Sequence, residues 1–107
     1  MANKEYILQS IKERLKDVLP QEGKALLFGS QARGDERMDS DWDILILLEK
    51  NKVTHDDFDA VAYPLIELGW HLGTTITPLL YTYQDWEKRH FTPFYKNVEQ
   101  DSITLWH

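Results

Sequence analysis

Two aspartates and a glycine–serine turn are the residues of this chain best suited to chemistry. They lie in the stretch LFGSQARGDERMDSDWDILILL, from Leu27 to Leu48. Asp41 and Asp43 stand two apart, so in an extended strand both carboxylates point to the same side. Carboxylates held that close repel each other unless a cation lies between them. A hard divalent ion such as Mg²⁺ suits the position, because it takes one or two carboxylates and completes its shell with phosphate oxygens and water. Gly29 and Ser30 come eleven to twelve residues before Asp41, where a short apolar run ends. A turn of this kind at a helix start offers backbone N–H groups and a hydroxyl to a phosphate. Phosphate cradle and metal dyad together point to phosphoryl-type chemistry on a nucleotide.

The elements that must position these groups are legible in the hydrophobic pattern. Ile7, Leu8, Ile11, Leu15, Val18 and Leu19 form one stripe of a helix over about the first nineteen residues, with Pro20 and Gly23 marking its exit. Lys24 to Phe28 reads as a strand, Ser30 to Arg33 as a single helical turn, and Gly34 to Ser40 as a polar loop. Asp41 to Leu48 reads as a second strand, apolar on both sides after the aspartates, as a central strand should be. Thr54 is placed to cap a helix with Asp56 and Asp57 in its first turn; Pro64 should kink or divide that helix, and Gly69 and Gly73 should end it. Thr74 to Tyr83 reads as a third strand, with Pro78 demanding an edge or a bulge. Short helices are expected over Asp85 to His90 and Phe94 to Asp101, and a small extra strand over Ile103 to Trp106. This order gives a small mixed β-sheet packed against helices, of the α/β or α+β class.

The 107 residues are expected to form one domain spanning 1–107, with enough chain for a modest core. No apolar run approaches the roughly 20 residues that cross a bilayer, the N-terminus lacks a signal-peptide pattern, and there is no cysteine; a cytoplasmic setting is the default expectation. A net charge of −6 argues against a broad nucleic-acid binder while leaving room for a nucleotide held through a metal. His55, His71, His90 and His107 show no zinc-ligand spacing. Lys88-Arg89 reads as a solvated helix face, or as a phosphate contact if its helix borders the site. Trp70, Trp86, Trp106, Phe91, Phe94 and Tyr95 crowd the second half of the chain, and they either fill the core or leave some members for an interface.

Gly29-Ser30, Ala32-Arg33-Gly34 and Ser40-Asp41-x-Asp43-Ile44, supported by Thr92-Pro93-Phe94-Tyr95-x-Asn97-Val98, resemble the minimal nucleotidyltransferases of the DNA polymerase β-like superfamily. The resemblance implies transfer of a nucleoside monophosphate from a Mg²⁺-bound nucleoside triphosphate, ATP above all, to a hydroxyl acceptor. It implies that Asp41 and Asp43 are catalytic and hold the metal, that Gly29 and Ser30 grip phosphates, and that Arg33 contacts phosphate or orients acids such as Asp35 or Asp41. It also implies a small helical partner protein, a homo-oligomer or both, with a toxin–antitoxin pairing as the setting; no membrane is implied, and nucleic acid is not the expected partner. In one respect the pattern breaks: the family's third carboxylate falls at Thr77, which cannot act as a carboxylate base. A catalytically weak nucleotide-binding module that masks a partner by contact is the rival expectation.

Overall fold

The computed structural model of the chain describes residues 3–34 and 40–106. The loop expected over Gly34 to Ser40 therefore falls mostly outside the described residues, and Asp35 and Asp39 with it. Helix α1 (Lys4–Val18) starts where the Asn3 side chain accepts the Tyr6 N–H at 2.8 Å, and it buries Ile7, Ile11 and Leu15. Strand β1 (Lys24–Phe28) leads into the four-residue helix α2 (Ser30–Arg33), followed by β2 (Trp42–Leu48). Asp41 thus stands just before β2, not inside it.

Thr54 caps α3 (His55–Asp57) through a capping box with Asp57. The long helix expected beyond it is divided. A π-helical turn, Phe58–Ala62, precedes α4 (Tyr63–Leu72), and Pro64 sits in the first turn of α4, where its missing N–H costs least. Gly69 does not end this helix. It is buried against the chain entering the sheet, where a Cβ would stand 2.9 Å from the Thr74 carbonyl oxygen; the stop is Gly73, in the left-handed region at φ 73°.

Strand β3 (Ile76–Thr82) carries Pro78 on the edge of the sheet, as a residue without an N–H requires. The next helix, α5 (Tyr83–Glu87), begins two residues earlier than the sequence pattern suggests, because the Thr82 hydroxyl accepts the Asp85 N–H at 3.0 Å and sets the start. Helix α6 (Pro93–Asp101) and strand β4 (Ile103–Trp106) complete the chain. The sheet order is β3-β2-β1-β4, with β2 and β3 parallel and the other pairs antiparallel.

One face of the sheet packs on α1 and α4. Trp42, Ile44, Ile46 and Leu48 of β2 meet Ile11, Leu15, Val61 and Leu65 there. The other face meets α5 and α6, where Leu26, Leu45 and Leu47 lie under Trp86, Val98, Phe94 and Tyr95. The aromatic-rich second half is split accordingly: Trp86 is buried, Phe94 and Tyr95 pack against this second core, and Trp70 and Phe91 stand exposed. Among the described residues no helix is long and apolar enough to cross a membrane.

Candidate functional site

The alternation of β2 places Asp43 on the α5–α6 face, in line with Leu45 and Leu47, near the start of the strand. Pairing sets its neighbours. Phe28 of β1 lies across from Asp43 on one side and Thr77 of β3 on the other. The entry of β2 is fixed further by the Trp42 N–H, which donates to the Thr75 carbonyl at 2.9 Å. Asp41 is exposed and Asp43 half-buried.

The charges of Asp41 and Arg33 both act on Asp43. Burial raises the Asp43 pKa above the ordinary carboxylate range, the Asp41 charge raises it further, and Arg33 offsets part of this by favouring the ionised form. A carboxyl group disfavoured in its charged form by desolvation and a like charge is one that a cation would relieve. The donor set therefore fits a divalent ion held by Asp41 and Asp43, with phosphate oxygens and water as its remaining ligands.

Gly29 sits against Asp43. Its φ of 78° and ψ of −158° lie outside what L side chains adopt readily, and a Cβ there would stand 2.5 Å from the Asp43 Oδ2. Glycine is thus required twice over, by backbone conformation and by space. The Gly29 carbonyl accepts the N–H groups of Ala32 and Arg33, both at 3.1 Å, so the turn closes at once, with half-buried Ser30 at its start. Gly34 ends the turn at φ 81°. A cavity of about 210 Å³ borders Gly29, lined by Phe28, Arg33, Phe94, Asn97 and Asp101 among others. The glycine of the turn lies against the Asp43 carboxylate. Glu67 and Asp85, two acids of the following segments, lie on α4 and α5.

Sequence reasoning passed over Gln31. It is buried, its Nε2 donates to the Ser40 carbonyl at 3.3 Å, and its Oε1 has no partner. The bond ties the glycine–serine turn to the residue that precedes Asp41. A one-turn helix has too little periodicity to flag an inward polar residue, so only its place inside the Gly29–Gly34 run hinted at it.

Comparison with known proteins agrees with this geometry. The nucleotidyltransferase domain family matches residues 7–102, and the chain belongs to that family. No curated protein matches the sequence significantly. Among solved structures, one described as a toxin–antitoxin with AMP-PNP superposes with a TM-score of 0.63 at 21% identity, covering 92% of this chain and 72% of that one. A mutant of the toxin–antitoxin pair MntA–HpeT superposes with a TM-score of 0.60 at 19% identity, with the same coverage. The mixed four-stranded sheet with its helices is the fold of these nucleotidyltransferase-like neighbours.

Proposed function

We propose that the chain transfers a nucleoside monophosphate from a Mg²⁺-bound nucleoside triphosphate, ATP in the first instance, to a hydroxyl on a partner protein of a toxin–antitoxin pair. One observation carries the reading: Asp43, already disfavoured as an anion, lies against the only residue type that leaves room for it, in a turn suited to phosphate. In this scheme Gly29 lets the backbone approach the phosphates, and the Ser30 hydroxyl donates to a phosphate oxygen. Arg33 balances negative charge around Asp43. Asp41 and Asp43 would hold Mg²⁺, which supplies neutralisation of the charge developing at the α-phosphate. The acceptor oxygen attacks the α-phosphorus, the bond to the β-phosphate bridging oxygen breaks, pyrophosphate leaves, and the hydroxyl proton passes to solvent or an acid of the partner. Most of the acceleration in such a site comes from positioning and electrostatics.

A second reading has its own support. The β2–β3 register sets Thr77 beside Asp43, where the family resemblance expects a third carboxylate. A chain lacking that acid could bind nucleotide and partner with little turnover. The deciding experiment uses ATP labelled on its α-phosphate, Mg²⁺ and the protein encoded next to this one, with Asp43→Asn alongside. Label moving to the partner, and lost in the variant, supports transfer. Tight binding without label movement supports the interaction module.

A further inference from the structure

We propose that the outer face of α4, with the π-helical turn before it, docks a partner protein whose own surface presents Lys and Arg around an apolar pocket. The proposal goes beyond the transfer reading and rests on it only for the choice of partner to test. Tyr63, Glu67 and Trp70 follow one another at spacings of four and three, so they share one stripe of α4, while Leu65, Leu68 and Gly69 form the buried stripe. Tyr63 is 44% and Trp70 65% exposed, and their rings meet edge to face at 6.0 Å. Phe58, 41% exposed, lies in the preceding turn. Trp42 and Trp86, by contrast, are buried. Two aromatic rings already held against each other lose little freedom on binding, and exposed Trp and Tyr are the side chains that most often anchor an interface.

Charge decides what covers them. Asp56, Asp59 and Glu67 belong to the same segment, and no Lys or Arg occurs between Lys52 and Lys88. Two described cations bonded to this segment are both engaged, Lys50 by Asp57 at 2.7 Å and Arg14 of α1 by the Pro64 carbonyl at 3.1 Å. A second copy of this chain is a poor occupant, since a twofold contact sets the same patch against itself and brings these acids together. An anionic membrane or a nucleic acid is repelled for the same reason. A basic protein surface is the occupant that the charges favour.

The position also suits a partner that must reach the candidate site. Helix α4 ends at Leu72, and within three residues the chain reaches Thr75, which is bonded to Trp42 between the two aspartates. Trp70 therefore lies at the same end of the sheet as Asp41 and Asp43, on the face opposite Asp43, so the partner reaches the site around that end.

The test measures binding of the protein encoded next to this one by calorimetry, for the wild type and for Trp70→Ala, Glu67→Lys and Phe91→Ala, with label transfer from ATP followed in parallel. Phe91 is 70% exposed beside Arg89 and His90 and serves as the control aromatic. Trp70→Ala and Glu67→Lys should each weaken binding at least tenfold, Phe91→Ala less than twofold, and wild-type affinity should fall as salt is raised. Unchanged affinity in Trp70→Ala, a larger loss in Phe91→Ala, or self-association through α4 overturns the docking face, even if label still moves. Loss of binding in Trp70→Ala with no label moving in any sample leaves the docking face standing and removes the transfer reading. A wild-type chain that does not bind this protein overturns both.

Discussion

On the side of the sheet covered by α1 and α4, β2 contributes Trp42, Ile44, Ile46 and Leu48 in unbroken alternation, and all four are buried. On the other side it contributes Asp43, Leu45 and Leu47, and the row opens with a half-buried carboxylate. The two sides also differ in what covers them. Aliphatic stripes from two helices close the first, while the second is roofed by rings, with Phe28 and Phe94 in edge contact at 5.4 Å and Trp86 against Tyr95 at 4.9 Å. The contrast teaches where stability and chemistry are separated. A closed aliphatic face can anchor the strand so firmly that its opposite face tolerates a charge disfavoured by its surroundings.

The comparison can be broken most directly at Asp43. Asp43→Asn should cut label transfer about 10³-fold, close to 4 kcal/mol of transition-state stabilisation, while leaving partner binding intact. Transfer that survived within tenfold would mean that the open face is not where the reaction occurs. The closed face is challenged by Ile46→Ala, which should cost about 3 kcal/mol in a denaturant titration, since the site is fully buried between β2 and α1. A loss under about 1 kcal/mol would place the anchoring elsewhere.

Gly29→Ala tests the seam between chemistry and backbone. The positive φ and the 2.5 Å approach to the Asp43 Oδ2 should together cost about 1–2 kcal/mol and lower transfer at least tenfold, read by thermal melts and by the label assay. An active, stable Gly29→Ala would show that the carboxylate moves aside freely. The smallest effect concerns pH. Because the Asp43 pKa is raised on folding, the folded chain holds that proton more tightly than the unfolded one. Ionisation therefore costs stability: the cost is absent below the ordinary carboxylate pKa and grows as pH rises through the raised one. In EDTA at neutral pH, Asp43→Asn should melt higher than wild type by about 1 °C, a small gain because the group is only half-buried and solvent screens it. The gap should close near about pH 3, and a variant that melts lower at neutral pH would contradict the assigned repulsion.

Much of this was legible before any coordinates. The strand Lys24–Phe28, the single turn Ser30–Arg33, the cap at Thr54 and the edge position forced by Pro78 follow from local rules, and each appears as the sequence implies. The misreadings have two causes, one tertiary and one local. Gly69 looks like a helix stop, yet it is needed for close approach to Thr74 and Ile76, a contact between segments that no local pattern records. The start of α5 shifted because a threonine at the end of a strand turned out to be a cap.

By itself, the sequence determined most of the elements and the family to which the chain belongs, because hydrophobic periodicity, caps and turn residues act over a few neighbouring positions. Only the tertiary structure decided which face of the sheet Asp43 occupies, that Thr77 is its neighbour across β3, that Gln31 ties the turn to Ser40, and which aromatics stay outside the core. Those facts depend on strand register and on which helix covers which face. Both are settled by the packing of residues far apart in the chain, and a single sequence does not record that packing.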